Sequence, residues 1–311
     1  MNAIYSNFQG SDDARRQRLY QGRLFAHSAC QSSRRLVEHA RNMIQEAFQG
    51  LDPLRAQYSM SVEEYVAIAA PLKPRFIHHP ETKKLIRDLL EEMNCDPDLT
   101  YQDVPRLRMV TSDGYLTSGV GYAHHPHRDT WYSAPMTQIN WWIPIYPMES
   151  ESSMAFHPHY WAEAIANGSR EFNYYEWNAV GRANAAQQIS SDTRKQPKPL
   201  QELNLDPDVR IVPEPGGMIL FSAAQLHSTV ANTSGKTRYS IDFRTVHMGD
   251  LLSRSGAPNI DSHCTGTSLR DFLRSRDLAP MPAEVVAMYD SGVAAPPESL
   301  VFRAAATVRP A

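Results

Sequence analysis

Near residue 100 the hydrophobic period of this chain changes, and that change limits its fold more than any other feature. Up to about Asp96, apolar residues recur at helical spacing. In "SSRRLVEHARNMIQEAFQG" the stripe is Leu36, Ala40, Met43, Ile44 and Ala47, with Gly50 placed to end the helix. "SVEEYVAIAA" opens with Ser61 and Glu64 at the spacing of a capping box. "HPETKKLIRDLLEEMNCD" has Pro80 near its start and a face of Leu85, Ile86, Leu89, Leu90 and Met93. The first hundred residues therefore read as helical. Beyond Asp96 the chain breaks into short alternating runs divided by Gly, Pro, Asn and Asp: "RLRMVTS", "MTQINWWIPIYP", "SMAFHP", "VRIVP", "GGMILFS" and "TRYSIDFRTV". Many short strands with no helices between them favour an antiparallel barrel or sandwich over a parallel α/β sheet. The polar, aromatic-rich stretch 160–207 interrupts the series as an insertion, either a lid over a site or a surface excursion. Past residue 280 one helical segment, "AEVVAMYDSG", precedes a Pro/Ala-rich end.

Composition narrows the function classes. With 31 Lys and Arg against 34 Asp and Glu the net charge is −3, and no basic block offers a nucleic-acid footprint. Cys30, Cys95 and Cys264 are odd in number and widely spaced, which fits a reducing cytoplasm rather than a disulfide framework or a CxxC zinc site. The N-terminus lacks the order of a signal peptide, and no apolar run approaches the roughly 18 residues of a membrane span. A soluble, cytoplasmic protein with a small-molecule partner is expected, without nucleic acid or membrane. The oligomeric state stays open.

The chemistry-bearing stretch is "GYAHHPHRDTWYSAP", residues 121–135. In extended chain His127 and Asp129 point to one side and Arg128 to the other. Two ligands do not make a metal site. The best third is His227, which follows a strand in "PGGMILFSAAQLHSTV". Two His and one Asp occupy one face of an octahedral ion and leave three positions open, as in non-haem Fe(II) oxygenases. Specificity comes from "TRYSIDFRTV", where Arg238, Ser240, Asp242 and Arg244 alternate with Tyr239, Ile241, Phe243 and Thr245. If helices cover the apolar face, the polar set faces inwards, and a buried arginine then needs an anionic partner. A dicarboxylate co-substrate is such a partner, met by the Arg238 fork and the Ser240 hydroxyl.

His127-x-Asp129, then His227, then Arg238 in an Arg-x-Ser context resembles the iron(II)/2-oxoglutarate-dependent oxygenases, and most nearly their phytanoyl-CoA dioxygenase-like branch. The resemblance covers about residues 105–248. It implies a mainly β fold with a helical N-terminal region: a double-stranded β-helix (cupin-like jelly roll) flanked by α-helices. One oxygenase domain would span 1–311, with helical support at 1–100, the core at 105–248 and an extension at 249–311. It also implies Fe(II) on His127, Asp129 and His227, with 2-oxoglutarate and O2 as co-substrates. Arg238 would pair with the distal carboxylate of 2-oxoglutarate, helped by Ser240 and Thr229. Gln138 and Asn140 share a face of the next strand and would reach the co-substrate or substrate. Because Asp129 is present where related halogenases have a small residue, the implied outcome is hydroxylation or another oxidation, coupled to release of succinate and CO2.

Other residues carry two readings each. His124 and His125 line a substrate site or simply pack in a loop. His157-x-His159 has metal-like spacing, but Pro158 between them favours a structural turn. Trp131, beside the His-x-Asp turn, is the aromatic candidate for a substrate wall. Arg244 meets an anionic substrate or replaces Arg238 at the co-substrate, and Asp242 neutralises one of the two arginines. At the level of the whole protein, the alternatives are a non-catalytic cupin-type small-molecule-binding protein and a metal-dependent hydrolase or isomerase. Neither needs an inward arginine beside the three ligands.

Overall fold

The apolar stripes of the first hundred residues fold as helices that share one core with the back of a sheet. A computed structural model describes residues 4–117, 125–181 and 196–290. Helix α1 (Asp12–Leu19) starts at Ser11, whose hydroxyl accepts from the Ala14 amide. Helix α2 (Gln31–Phe48) buries Leu36, Val37, Ala40, Met43, Ile44 and Phe48. It ends as Gln49 and Gly50 turn left-handed at φ 49° and 89°. Helix α3 (Val62–His78) opens on the expected capping box: Ser61 Oγ accepts from Glu64 N, and the Glu64 carboxylate accepts from Ser61 N. Helix α4 (Pro80–Glu92) begins at Pro80 and buries Leu85, Ile86, Leu89 and Leu90.

Eleven strands form two sheets among the described residues: β1 (Ile4–Ser6), β2 (Leu24–His27), β3 (Thr100–Gln102), β4 (Arg106–Val110), β5 (Ile139–Pro144), β6 (Met154–Phe156), β7 (Val209–Arg210), β8 (Met218–Ser222), β9 (His227–Thr229), β10 (Arg238–His247) and β11 (Leu273–Arg274). The larger sheet runs β1-β2-β8-β5-β10-β3-β11, with β4 also on β10, and the smaller runs β7-β6-β9. Every pairing is antiparallel except β1 with β2.

Period-2 alternation divides the larger sheet into two faces. Ile139, Trp141 and Ile143 of β5, Met218 and Leu220 of β8, and Tyr239, Ile241 and Phe243 of β10 join the helices in one core. On the other face Trp142, Ile219 and Phe221 meet Met154 and Phe156 of the smaller sheet, and the Phe156 and Phe221 rings cross edge-to-face at 5.0 Å. The cover of helices over the apolar face is what turns the polar set of β10 inwards.

The structure corrects one reading of the elements. The first hundred residues are not wholly helical, because β1 and β2 lie there and β2 pairs Phe25 with Leu220 of β8. His227 follows a strand as expected: β8 ends at Ser222, and His227 opens β9. The segment after residue 249 packs through a cluster of its own. Helices α6 (Met248–Ser253) and α7 (Ala283–Tyr289) supply Leu251, Val285 and Val286 to a cluster with Leu269, Phe272, Tyr101 and Val246. The described parts of 160–207 are short 3-10 turns, one helical turn α5 (Tyr174–Glu176) and a π turn (Trp177–Gly181). Residues 182–195 of that insertion and the end beyond 290 lie outside the described residues. None of the described helices is long and apolar enough to cross a membrane.

Candidate active site

Backbone pairing brings the two histidines together. His127 and His227 face each other across an antiparallel bridge, each amide donating to the other's carbonyl at 3.0 Å. Their ring centroids are 4.4 Å apart. After Arg128 in extended backbone, Asp129 opens a 3-10 turn (Asp129–Tyr132). Its Oδ1 lies 3.3 Å from His127 Nε2 and 3.9 Å from His227 Nε2. One ligand atom from each of the three side chains falls within 4.8 Å of the others, and all three residues are buried.

The protonation of this cluster is set by its surroundings. His127 Nδ1 is 2.7 Å from the His125 carbonyl, and His227 Nδ1 is 2.9 Å from that of Gln225. A carbonyl only accepts, so both Nδ1 atoms carry a proton and donate, and both Nε2 atoms face the cluster. Burial, reinforced by His127, pushes His227 down to about 4, so it is neutral near pH 7. For Asp129 burial acts upward, but the His127 hydrogen bond, the two imidazoles and Asn140 outweigh it and hold the group at about 2. The cluster therefore presents two imidazole Nε2 atoms and one carboxylate oxygen to the same point. The second carboxylate oxygen faces the larger sheet, with Asn140 Nδ2 at 2.8 Å, Gln138 Nε2 at 3.3 Å and Arg244 Nε at 3.8 Å.

A cavity of about 320 Å³ opens beside the cluster and is lined by His127, Asp129 and His227 together with Arg238, Arg244 and Thr229. Arg238, at the start of β10, is 7% exposed and its guanidinium sits 5.4 Å from the Trp142 ring centroid. Its Nε and Nη1 have no hydrogen-bond partner among the described residues. Burial lowers it to about 10, against the pull of Asp242 and with repulsion from Arg108. A buried cation with two unmet nitrogens is costly alone, and an anion in the cavity would offset that cost.

The other expected residues divide. Gln138 and Asn140 line the cavity, and their hydrogen bonds go to the Asp129 carboxylate. Ser240 is fully buried and does not line the cavity; its hydroxyl finds no partner among the described residues. His125 is half-buried, with its ring nitrogen 2.8 Å from the Pro197 carbonyl, and its own carbonyl anchors His127. Arg244 reaches Asp103 at 3.2 Å and Asp242 at 3.8 Å as well as Asp129. Asp242 chiefly pairs with Arg108, at 2.6 Å.

Trp131 is not a wall of the cavity. It is fully buried among Tyr160, Ile165 and Leu226 and donates its indole N–H to Asp261 at 2.8 Å. Extended chain would put it on the side of Asp129. The 3-10 turn instead eclipses residues three apart, so Tyr132 follows Asp129 into the cavity and Trp131 turns away. Arg128 is turned away as expected. Buried to 1%, it donates to Asp261 at 3.0 Å and to the carbonyls of Ala224, Tyr160 and Glu163. His157 and His159 meet the carbonyls of Leu205 and Asn204, a structural turn. His124 lies outside the described residues.

Several lining residues escaped the sequence reading. Asp103, Arg106 and Arg108 form an ionic floor, with Arg106 paired to Asp103 at 2.7 Å. The alternation Arg106, Arg108, Val110 in "RLRMV" is the same signal that singled out β10. Phe172, Tyr174 and Trp177, from the described part of the insertion, supply aromatic wall; nothing in their spacing marks them.

A family model for phytanoyl-CoA dioxygenase (PhyH) matches residues 22–240. Among solved structures, EvdO2 from Micromonospora carbonacea var. aurantiaca, complexed with 2-oxoglutarate, aligns at 11% identity over 60% of this chain and 64% of its own, with a TM-score of 0.35. This chain thus covers less than two thirds of EvdO2. The non-heme monooxygenase ThoJ in its apo form aligns at 12% identity over 81% and 78% of the two chains, TM-score 0.37. SnoN, the non-heme alpha ketoglutarate dependent epimerase from nogalamycin biosynthesis, aligns at 15% identity over 87% and 100%, TM-score 0.39. No curated protein matches the chain.

Proposed function

The chain belongs to the phytanoyl-CoA dioxygenase family, and from that premise we propose an Fe(II)- and 2-oxoglutarate-dependent oxygenase that hydroxylates a C–H bond of a small molecule. The observation that carries this reading is the shared cavity: three ligand side chains whose donor atoms lie within 4.8 Å, beside a buried guanidinium with two unmet donors. We read the two facing sheets as the halves of a double-stranded β-helix, and the whole chain as one oxygenase domain.

The residues fit the group. His127 and His227 offer Nε2 lone pairs and Asp129 an anionic oxygen, which suits a divalent first-row ion with half of its octahedron open. Bound there, Fe(II) with 2-oxoglutarate and O2 supplies the oxidising power, coupling decarboxylation to succinate and CO2 with oxidation of the substrate. Arg238 takes the distal carboxylate of 2-oxoglutarate in a forked ion pair, with Thr229 as a polar neighbour in the same cavity and Ser240 buried behind it. That pairing answers the unmet N–H groups and keeps the co-substrate in one orientation. The aromatic residues Tyr132, Phe172 and Trp177 limit water in the cavity. Arg244, which lines the cavity, is the candidate contact for a polar edge of the ligand, and His125 acts through its carbonyl bond to His127.

Succinate release across a panel of small molecules tests the proposal, with Asp129→Ala as the blank. Wild-type protein with Fe(II), 2-oxoglutarate and O2 should release succinate above that blank, and a true substrate should raise it further. Equal, negligible release by both proteins under every condition contradicts it.

A further inference from the structure

We propose that Gln138 and Asn140 are positioning residues: a two-amide relay that holds Asp129 as a one-oxygen metal ligand. The inference rests on the Fe(II) reading and goes further, to how many coordination positions the protein itself fills. A carboxylate binds a metal through one oxygen or both. If Asp129 used both, one of the three positions needed by 2-oxoglutarate and O2 would be lost.

The geometry separates the two oxygens. Oδ1 faces the imidazoles at 3.3 and 3.9 Å. Oδ2 accepts from Asn140 Nδ2 at 2.8 Å and from Gln138 Nε2 at 3.3 Å, while Gln138 Nε2 also donates to Asn140 Oδ1 at 3.0 Å. The orientation of both amides follows from chemistry. Ionised Asp129 only accepts, so Asn140 turns its nitrogen to it and its oxygen to Gln138, which must then present nitrogen. Neither side chain has much freedom. Gln138, Asn140 and Asp129 are 3%, 5% and 8% exposed, and Asn140 sits in β5 between β8 and β10, opposite Phe221 and Arg244. Arg244 adds its Nε at 3.8 Å from the same oxygen. Every donor on Oδ2 thus comes from β5, the residue just before it, or β10, and rotating the carboxylate towards two-oxygen binding would break the shortest of these contacts.

The test is anaerobic titration of the full-length protein with Co(II), whose visible ligand-field spectrum reports coordination number and affinity together. Asn140→Leu keeps the side-chain shape and removes the donor; Gln138→Leu leaves the Asn140 contact but removes the bond that orients it. Co(II) binding should weaken about 10–100-fold in Asn140→Leu, with a changed spectrum, and by less in Gln138→Leu. If Asn140→Leu fails to fold, Gln138→Leu decides, since any shift of the same sign supports the relay. Wild-type affinity and spectrum in the folded variants overturn the relay alone, even if their unfolding temperatures drop. A wild-type protein that binds no Co(II) or Fe(II) overturns the metal reading, and the relay with it.

Discussion

On the proposed reading, Arg238 is stabilised by what the cavity receives rather than by the protein around it. Its guanidinium is buried and two of its nitrogens are unmet among the described residues, so Arg238→Met should act in opposite directions on two observables. Without co-substrate the variant should unfold at the same or a higher temperature, because an uncompensated buried charge has been replaced by an apolar chain. Affinity for 2-oxoglutarate should fall by about 30-fold or more, the effect of losing roughly 2 kcal/mol of charge-assisted pairing. Thermal scans and a 2-oxoglutarate titration check both signs. Residue by residue, the site was largely legible. His127, Asp129, His227 and Arg238 are marked by residue type and by the alternation of β10, which survives folding. Trp131 was singled out for standing beside the His-x-Asp turn, but in a 3-10 turn the repeat is three, so Tyr132 and not Trp131 shares the side of Asp129.

At the scale of elements, the two ligand-bearing segments are joined to the C-terminal segment by Arg128 and Asp261. Asp261 accepts from Arg128, from the Trp131 indole and from the Ile165 amide. Arg128, between two proposed ligands, also donates to Ala224, just before the distal histidine strand. Asp261→Asn removes the counter-charge of a buried arginine and should destabilise the fold by about 3–5 kcal/mol, read as a lower denaturant midpoint. This clamp was invisible in the sequence, since its partners stand 133 positions apart. Helices α2, α3 and α4 were readable because their stripes run for several turns and their caps use Ser61, Glu64 and Pro80. Strands β1 and β2 were not, because three or four residues are too few to show a period.

For the molecule as a whole, buried histidines set an acid limit. Burial, with Arg15 nearby, lowers His27 to about 4, and burial also lowers His157, His39 and His247. Each takes up a proton less readily in the fold than when unfolded, so the unfolded chain binds more protons between the two pKa values. Stability should be full above about pH 6.5 and fall as pH drops towards 4, by up to about 1.4 kcal/mol per pH unit for His27. Urea midpoints across that range should decline less in His27→Gln than in wild type; equal slopes contradict the assignment. Because metal and co-substrate bind only the folded site, chelation should lower the unfolding temperature of loaded protein. The most direct test of the account is the visible spectrum of anaerobic protein mixed with Fe(II) and 2-oxoglutarate. A weak charge-transfer band should appear in wild type, vanish in Asp129→Ala, and need far more 2-oxoglutarate in Arg238→Met. No band in folded wild-type protein, or a band that Asp129→Ala leaves intact, would contradict it.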